Sequence, residues 1–574
     1  MHKRPRDYSV GNVVRNRRVE AYLVMARDRL LLGLALFMLA FTVIAGRLVD
    51  VALLRDAREI AASATEKQAP LFARADIVDR NGTILATTLS TASVYAEPRR
   101  ILDAEQAARQ LASVLPDTTY QDLLRRLTED KAFVWLRRNL TPLQQAAVNR
   151  LGIPGISFQR EDRRIYPDGP AVSHVVGYTN LDNSGIAGIE KQFDQQLRRS
   201  NQELALSLDL RFQHILREEL IAGLRQFKAK AAGGLIVDAK SGEILAMISL
   251  PDFDPHQISR VSDQARFNRM TLGTYEMGST FKIFNTALAL DSGVVRLSDS
   301  FDATQPLKIA NYTIHDFNPK NRWLNVSEIF KYSSNIGSAK IAMAVGGKKQ
   351  KVFLEELGLL KKAQLEIPEI GAPQIPPRWN DVYTATVSYG HGISVTPIQL
   401  VRAIASQVNG GFLPQLTLLK RDPGEAVEGV QVIQAATSAR IRQLMGLVVE
   451  EGSGKGAQVE GYAIGGKTGT AEKTAAGGYN QHAVLSSFVG IFPLNDPKFV
   501  IFAMLDEPQG TADTHGFATG GLVSAPLVGR VITRIGALSG IAPQENMGTL
   551  PEARYARMDG EKTNVAAQIA SPAE

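Results

Sequence analysis

From Leu30 to Gly46 the chain reads LLLGLALFMLAFTVIAG, seventeen residues without a charge. An amphipathic helix would alternate apolar and polar faces. Here every face is apolar, so the pattern predicts a helix solvated by lipid. Leu48, Val49 and Val51 extend the run, which gives a single transmembrane anchor over residues 30–50, followed by a helical stem over 51–68. The pattern then becomes mixed. Residues 74–98 (RADIVDRNGTILATTLSTASVYAEP) place Asn81-Gly82 between β-rich runs, a hairpin signal. Residues 104–115 (AEQAARQLASVL) and 141–151 (TPLQQAAVNRL) carry apolar positions at helical spacing. Residues 69–197 are therefore predicted to form an α+β module.

A second region starts at 203. Residues 203–227 begin as a strand and become a helix, and residues 232–250 read as two apolar strands around a Lys240-Ser241-Gly242 turn. Helical segments dominate 279–460. Three strand-like runs follow, 461–471, 483–492 and 499–507, with Gly477-Gly478 and Asn495-Asp496-Pro497 in the turns between them. Strands at both ends and helices between them predict an antiparallel sheet built from the two ends of one domain, residues 203–540, with helices packed on both of its faces. The fold class is α+β. After 541 the chain is polar and aperiodic, the pattern of a disordered tail over 541–574.

Charge changes the picture at one end only. The chain of 574 residues carries a net charge of +7. Residues 1–29 hold Lys3, Arg4, Arg6, Arg15, Arg17, Arg18, Arg27 and Arg29 against Asp7, Glu20 and Asp28, eight minus three, or +5. So localised an excess argues against a nucleic-acid partner. Beside an apolar run it puts residues 1–29 in the cytoplasm and the bulk of the protein on the far side of the membrane. A cleaved signal peptide ending near Ala45-Gly46 is the competing reading; the long basic segment and the length of the apolar run disfavour it. There is no cysteine, which excludes disulfides and thiolate metal sites. The eight histidines show no HExxH spacing, so no metal and no cofactor are expected.

The chemistry concentrates in three short elements. In Glu276-Met277-Gly278-Ser279-Thr280-Phe281-Lys282 the glycine permits a tight turn, and TFKIFNTALAL after it is apolar on nearly every side, the mark of a buried helix. Ser279 would stand at the start of that helix, with Lys282 one turn on and on the same face. A serine hydroxyl needs a base to take its proton. A lysine serves only if burial or a neighbouring cation lowers its pKa. Ser333-Ser334-Asn335 lies between two helical runs, where a polar turn can present a hydroxyl and an amide into a cleft. Lys467-Thr468-Gly469-Thr470 lies in a strand, with Lys467 and Gly469 on one face and Thr468 and Thr470 on the other. Gly469 leaves room for an extended peptide to approach. Each element alone has an ordinary structural explanation, an N-cap serine or a glycine bulge. All three in this order in one domain do not.

S-x-x-K, S-x-N and K-T-G are the triplet of the penicillin-recognising serine enzymes. The chain resembles the class B penicillin-binding proteins over residues 30–535. Residues 74–82 (R-x-D-I-x-D-R-N-G), 163–177 (RRIYPDGPAVSHVVG) and 185–194 (GIAGIEKQFD) are similar to their N-terminal pedestal. Residues 388–400 (SYGHGISVTPIQL) and 520–527 (GGLVSAPL) are similar to their transpeptidase domain. Glu276 and the S-x-N form resemble the septal, cell-division subtype rather than the elongation type. Met277 departs from the family, which more often has proline there.

The resemblance implies a peptidoglycan D,D-transpeptidase. Ser279 would attack the penultimate D-Ala carbonyl of a donor stem peptide, with Lys282 as base. Ser333 would relay a proton to the leaving D-Ala, and Asn335 would hold the peptide amide. Lys467 would supply positive potential, Thr468 and Thr470 would meet the terminal carboxylate, and the N–H groups of Ser279 and Thr470 would form an oxyanion hole. The implied partners are D-Ala-D-Ala donor peptides, amine acceptors, β-lactams, the membrane, and a multi-span glycan polymerase with other divisome proteins. A carboxypeptidase or β-lactamase of the same fold and a penicillin-binding sensor are the alternatives. Two decoys fail. Gly452-Ser453-Gly454-Lys455-Gly456 lacks the spacing of a nucleotide loop, and nothing in the sequence joins Asp513 and His515 to Ser279 as a triad.

Overall fold

A computed structural model describes residues 29, 31–48, 73–475 and 478–543. The chain divides into two units, Met1–Phe72 and Ala73–Glu574. In the first, Leu31–Leu48 (α1) is one continuous helix whose apolar side chains are all exposed. At 1.5 Å per residue it is roughly 27 Å long, close to the hydrocarbon thickness of a bilayer. The stem at 51–68, the basic tail before residue 29 and the tail after 543 lie outside the described residues.

In the second unit the chain opens with Ile77–Val78 (β1), which turns back into Ile84–Ala96 (β2). The turn is the one read from Asn81-Gly82. The Asp79 carboxylate accepts from the N–H groups of Asn81 and Thr83, both at 2.8 Å, and Gly82 takes φ +84°. Ala104–Val114 (α2) starts at Asp103, whose side chain accepts from Gln106 N–H. Tyr120–Leu127 (α3) packs beside it. Val134–Leu140 (β3) and Ile156–Ile165 (β4) flank β2 on its two sides, both antiparallel to it. Leu111, Leu123, Leu127, Val94 and Leu136 close a small core between these helices and the sheet.

Three segments far apart in sequence meet at Gly188–Gln192 (α4). Its Glu190 is fully buried and accepts from Arg74 Nε at 2.6 Å and from Arg164 Nε at 2.7 Å. Arg74 also reaches Asp194 at 2.7 Å. The residues 74–82, 163–177 and 185–194 that carry the pedestal resemblance thus share one buried ionic cluster. Leu204–Ala205 (β5) then pairs parallel with β1. The strand that the sequence assigned to the start of the second region therefore completes the first region's sheet. Just after this strand, Leu206 N–H donates to Val78 O and Ser207 N–H donates to Leu418 O, both at 2.8 Å, so these two residues tie the two regions together.

Leu210–Gln226 (α5) leads into Ala231–Asp238 (β6) and Ile244–Leu250 (β7). The middle of the chain supplies helices, among them Lys282–Asp291 (α6), Val326–Tyr332 (α7), Asn335–Val345 (α8), Pro397–Val408 (α9) and Ala435–Glu450 (α10). Short two-stranded pairs interrupt this run at Ser300–Asp302 with Trp323–Asn325, and at Leu307–Ile309 with Tyr312–Ile314, where the sequence reading saw mainly helix. Gly465–Ala475 (β8), Gly478–Phe492 (β9) and Phe499–Asp506 (β10) complete an antiparallel sheet in the order β8-β9-β10-β6-β7, and Ser524–Leu538 (α11) ends the domain. Residue 477 of the Gly477-Gly478 turn lies outside the described residues.

Strand periodicity divides the core in two. Ile501, Ala503 and Leu505 of β10 point to α5 and α11, meeting Leu216, Leu220, Leu527 and Val531. Val500, Phe502 and Met504 point the other way, into the core shared with Phe281, Phe284, Val401 and Ile404. The sheet is covered on both faces, as the pattern of apolar runs predicts.

Candidate active site

The turn that carries Ser279 begins at Gly278, whose φ of +54° suits glycine. A 3₁₀ turn over Gly278–Phe281 passes into α6. Met277, in place of the family's proline, is buried and keeps the turn closed: its carbonyl accepts from Thr280 Oγ1 at 2.9 Å. Bare backbones pack around this turn. A Cβ on Gly390 would stand 2.3 Å from the Gly278 carbonyl oxygen, and one on Gly278 would stand 2.7 Å from the Thr470 carbonyl oxygen. The space that Gly469 leaves is taken by the Met277 carbonyl and the Ser487 hydroxyl, 2.8 and 2.4 Å from where its Cβ would be. The sequence predicts that space to admit an incoming peptide; the fold fills it with the turn that carries Ser279.

Lys282 is 1% exposed. Its Nζ lies 2.8 Å from Ser279 Oγ, 2.7 Å from the Ser333 carbonyl oxygen, 3.1 Å from Ser333 Oγ and 2.7 Å from Asn335 Oδ1. A neutral amine has two N–H donors and one lone pair. The two carbonyl oxygens at 2.7 Å take the donors, and the lone pair is left to accept the Ser279 hydroxyl proton. Burial, and then the nearby Lys467 cation, hold the Lys282 pKa well below the ordinary lysine value, against the opposing effect of Asp316. The environment therefore favours the neutral form that this geometry suits.

Lys467 comes from β8 and is fully buried. Its Nζ donates to Ser333 Oγ at 2.9 Å. Burial lowers its pKa to about 7. The Ser333 hydroxyl thus bridges two buried amines. Ser333 closes α7 in the left-handed region, φ +59° and ψ +42°. A non-glycine residue pays of order 1–3 kcal/mol for such a conformation. Here it aims the carbonyl and the hydroxyl at one amine. The N-cap role weighed for this turn falls to Ser334, whose Oγ accepts from Gly337 N–H at 3.0 Å. Ser279, Ser333, Asn335 and Thr470 are only partly buried, while both amines lie beneath them.

Lys467 Nζ also donates to the Thr468 carbonyl oxygen at 3.4 Å and to Thr468 Oγ1 at 3.5 Å. Thr468 Oγ1 lies 2.9 Å from Ser453 Oγ, and Thr470 Oγ1 accepts from Gly520 N–H at 3.0 Å. The 452–456 stretch, rejected as a nucleotide loop, therefore borders the site. Sequence reading missed Ser453 in this role, and it missed Asp316 altogether. Glu276 is also tied in, its carboxylate accepting from Gly392 N–H at 2.9 Å. Neither Asp513 nor His515 hydrogen-bonds Ser279 among the described residues.

Residues 232–533 match the family model described as the penicillin-binding protein transpeptidase domain, and residues 71–209 match the penicillin-binding protein dimerisation domain. The chain belongs to the penicillin-binding protein transpeptidase family. It is 39% identical over 492 residues to the probable peptidoglycan D,D-transpeptidase FtsI of Caulobacter vibrioides, covering 83% of each chain. It is 30% identical to the peptidoglycan D,D-transpeptidase FtsI of Escherichia coli K12, over 80% of this chain and 82% of that one. Stage V sporulation protein D of Bacillus subtilis is also 30% identical, over 91% of this chain and 88% of its own. In this penicillin-binding protein, then, Ser279, Ser333 and Asn335 surround the Lys282 amine, and Lys467 joins them through the Ser333 hydroxyl.

Proposed function

We propose that this protein is a septal peptidoglycan D,D-transpeptidase working through a serine acyl-enzyme, and a target of β-lactams. The observation that carries the reading is the set of four oxygens around Lys282 Nζ, with Ser279 Oγ at 2.8 Å. Lys282 takes the Ser279 proton as Oγ attacks the penultimate D-Ala carbonyl carbon. The C–N bond to the terminal D-Ala breaks, and its nitrogen leaves with a proton delivered from Lys282 through Ser333. An acceptor amine then attacks the ester, a new amide bond forms, and Ser279 Oγ recovers a proton. Asn335 holds the donor amide, Lys467 supplies positive potential, and Thr468 and Thr470 meet the terminal carboxylate. The N–H groups of Ser279 and Thr470 stabilise the oxyanion, an interaction for which each donor is typically worth about 3 kcal/mol of barrier. A β-lactam gives the same ester with its ring opened. A fluorescent penicillin should label the protein and stay attached. Rapid release of the label would indicate a lactamase, and no label at all would remove the reading.

The bulk of the chain is proposed to lie outside the inner membrane, because the basic residues precede α1. A reporter active only outside the cytoplasm, fused after Glu574, should be active. Activity of a cytoplasm-only reporter there would reverse the orientation.

The septal assignment is supported by the two FtsI relatives, by Glu276 and by the S-x-N form. A multi-span glycan polymerase is proposed as the partner of the anchor and the 69–197 module, so that strands are cross-linked as they emerge. Depletion should give filaments that elongate without constricting, and a fluorescent fusion should collect at midcell. Rounded cells with normal septa would instead assign the enzyme to elongation.

A further inference from the structure

Asp316 belongs to none of the three triplet motifs. It lies in the loop after Tyr312–Ile314, and yet it grips the S-x-N turn. Its Oδ2 accepts from Ser334 Oγ at 2.7 Å, and its Oδ1 accepts from the N–H groups of Asn335 at 2.6 Å and Ile336 at 2.9 Å. Next to it, the His315 carbonyl accepts from Asn335 Nδ2 at 3.0 Å. Four hydrogen bonds from two consecutive residues thus fix the backbone of the turn and the amide plane of Asn335. The carboxylate also caps the N-terminus of α8, an eleven-residue helix, where negative charge is favoured.

We propose that Asp316 is a positioning residue for acylation: it holds the turn so that the Ser333 carbonyl, the Ser333 hydroxyl and Asn335 Oδ1 all converge on Lys282. The geometry gives the reason. The turn is strained at Ser333, φ +59°, and a strained turn persists only where its surroundings over-determine it. The nitrogen of Asn335 Nδ2 is committed to His315 O, so Asn335 Oδ1 is the atom left to face the amine. Without Asp316 the N–H groups of Asn335 and Ile336 lose their acceptor, and the turn can relax away from Lys282.

The carboxylate has a second effect through space. The groups facing the Lys282 amine are the Lys467 cation from β8, the Asp316 carboxylate, the Tyr389 ring face at 6.0 Å and His391. His391 is neutral near pH 7, its pKa lowered to about 4 by burial and then by Lys282. Glu276 stands on the nucleophile's own turn, bonded to Gly392. Asp316 favours the ammonium form of Lys282. Acylation needs the neutral amine, so its rate rises with pH as the ammonium loses its proton. Removing the Asp316 charge lowers the pH at which that happens, and the acidic limb of the rate profile moves to lower pH.

The inference rests on the acyl-enzyme reading above, and two substitutions test it in the full-length protein. Asp316→Ala removes geometry and charge together and should slow acylation by fluorescent penicillin by on the order of a hundredfold, the usual consequence of a displaced reacting group. Asp316→Asn keeps an oxygen acceptor for the two N–H groups and can donate to Ser334. It should lose less rate and should shift the acidic limb to lower pH. A residue that merely supported the fold would lower thermal stability without moving that limb. Wild-type acylation by Asp316→Ala, or a wild-type acidic limb in Asp316→Asn, overturns the assignment. If Asp316→Ala fails to fold, the pH profile of Asp316→Asn still decides. A wild-type protein that takes no label at all would instead overturn the acyl-enzyme reading itself.

Discussion

Ser279→Ala should abolish covalent labelling by penicillin, while the protein melts at nearly the wild-type temperature. In the proposed mechanism the Ser279 hydroxyl forms the ester, and the other hydroxyl near Lys282, Ser333 Oγ at 3.1 Å, serves as the proton relay. Little stability is lost, because Ser279 is only partly buried and Lys282 keeps its contacts to the Ser333 carbonyl and Asn335 Oδ1. Lys282→Ala should leave the nucleophile in place and slow acylation by roughly 10²–10⁴-fold, the usual contribution of a general base. It also opens a cavity and strands two carbonyl oxygens, so its melting temperature should fall as well. Mass spectrometry of the trapped adduct provides the check. A label on Ser333 in place of Ser279 would exchange the roles of the two serines and refute the mechanism.

Glu190→Ala should be the most destabilising single change in the 73–200 region. It removes the shared counter-charge of Arg74 and Arg164, both about 4% exposed. Breaking a buried pair by deleting one partner typically costs about 3–5 kcal/mol, because the surviving charge stays buried. Arg74 keeps Asp194 at 2.7 Å, and Arg164 keeps the Arg74 carbonyl at 3.2 Å and Thr88 Oγ1 at 3.0 Å. Those contacts limit the loss for each arginine without restoring neutrality. Glu190→Gln should be milder, since it retains one acceptor oxygen. Limited proteolysis during a thermal ramp should cut the alanine variant within 73–200 at a lower temperature than the wild type. Penicillin labelling should persist below that temperature, because the Glu190 carboxylate bonds Arg74 and Arg164 of the 73–200 region. Identical proteolysis profiles for wild type and Glu190→Ala would show that the cluster contributes no stability.

Much of the architecture is written locally. The uncharged run after a basic segment marks α1, because in lipid a helix must be apolar on every face. The Asn81-Gly82 turn follows from side-chain and backbone chemistry within five residues. The alternation in β10 assigns its residues to the two faces of the sheet without reference to any other strand. The short strand pairs within 300–325 were not legible, because three-residue strands carry too few positions to show a period. The Leu204–Ala205 strand was seen, but not its partner, since a parallel pairing with β1 has no local signature.

The candidate site divides along the same line. Serine and lysine at a spacing of three, and Gly278 before them, are local facts that already put an amine beside a hydroxyl. What the sequence could not contain is the environment that lowers the pKa of that amine. Lys282 meets Ser333 across 51 residues and Lys467 meets it across 134. Asp316 reaches Asn335 from 19 residues away, through a loop with no periodicity. Burial, the second cation and the left-handed turn at Ser333 exist only once the sheet and helices have closed. A side chain's pKa depends on what surrounds it, and here only the tertiary structure supplies those surroundings.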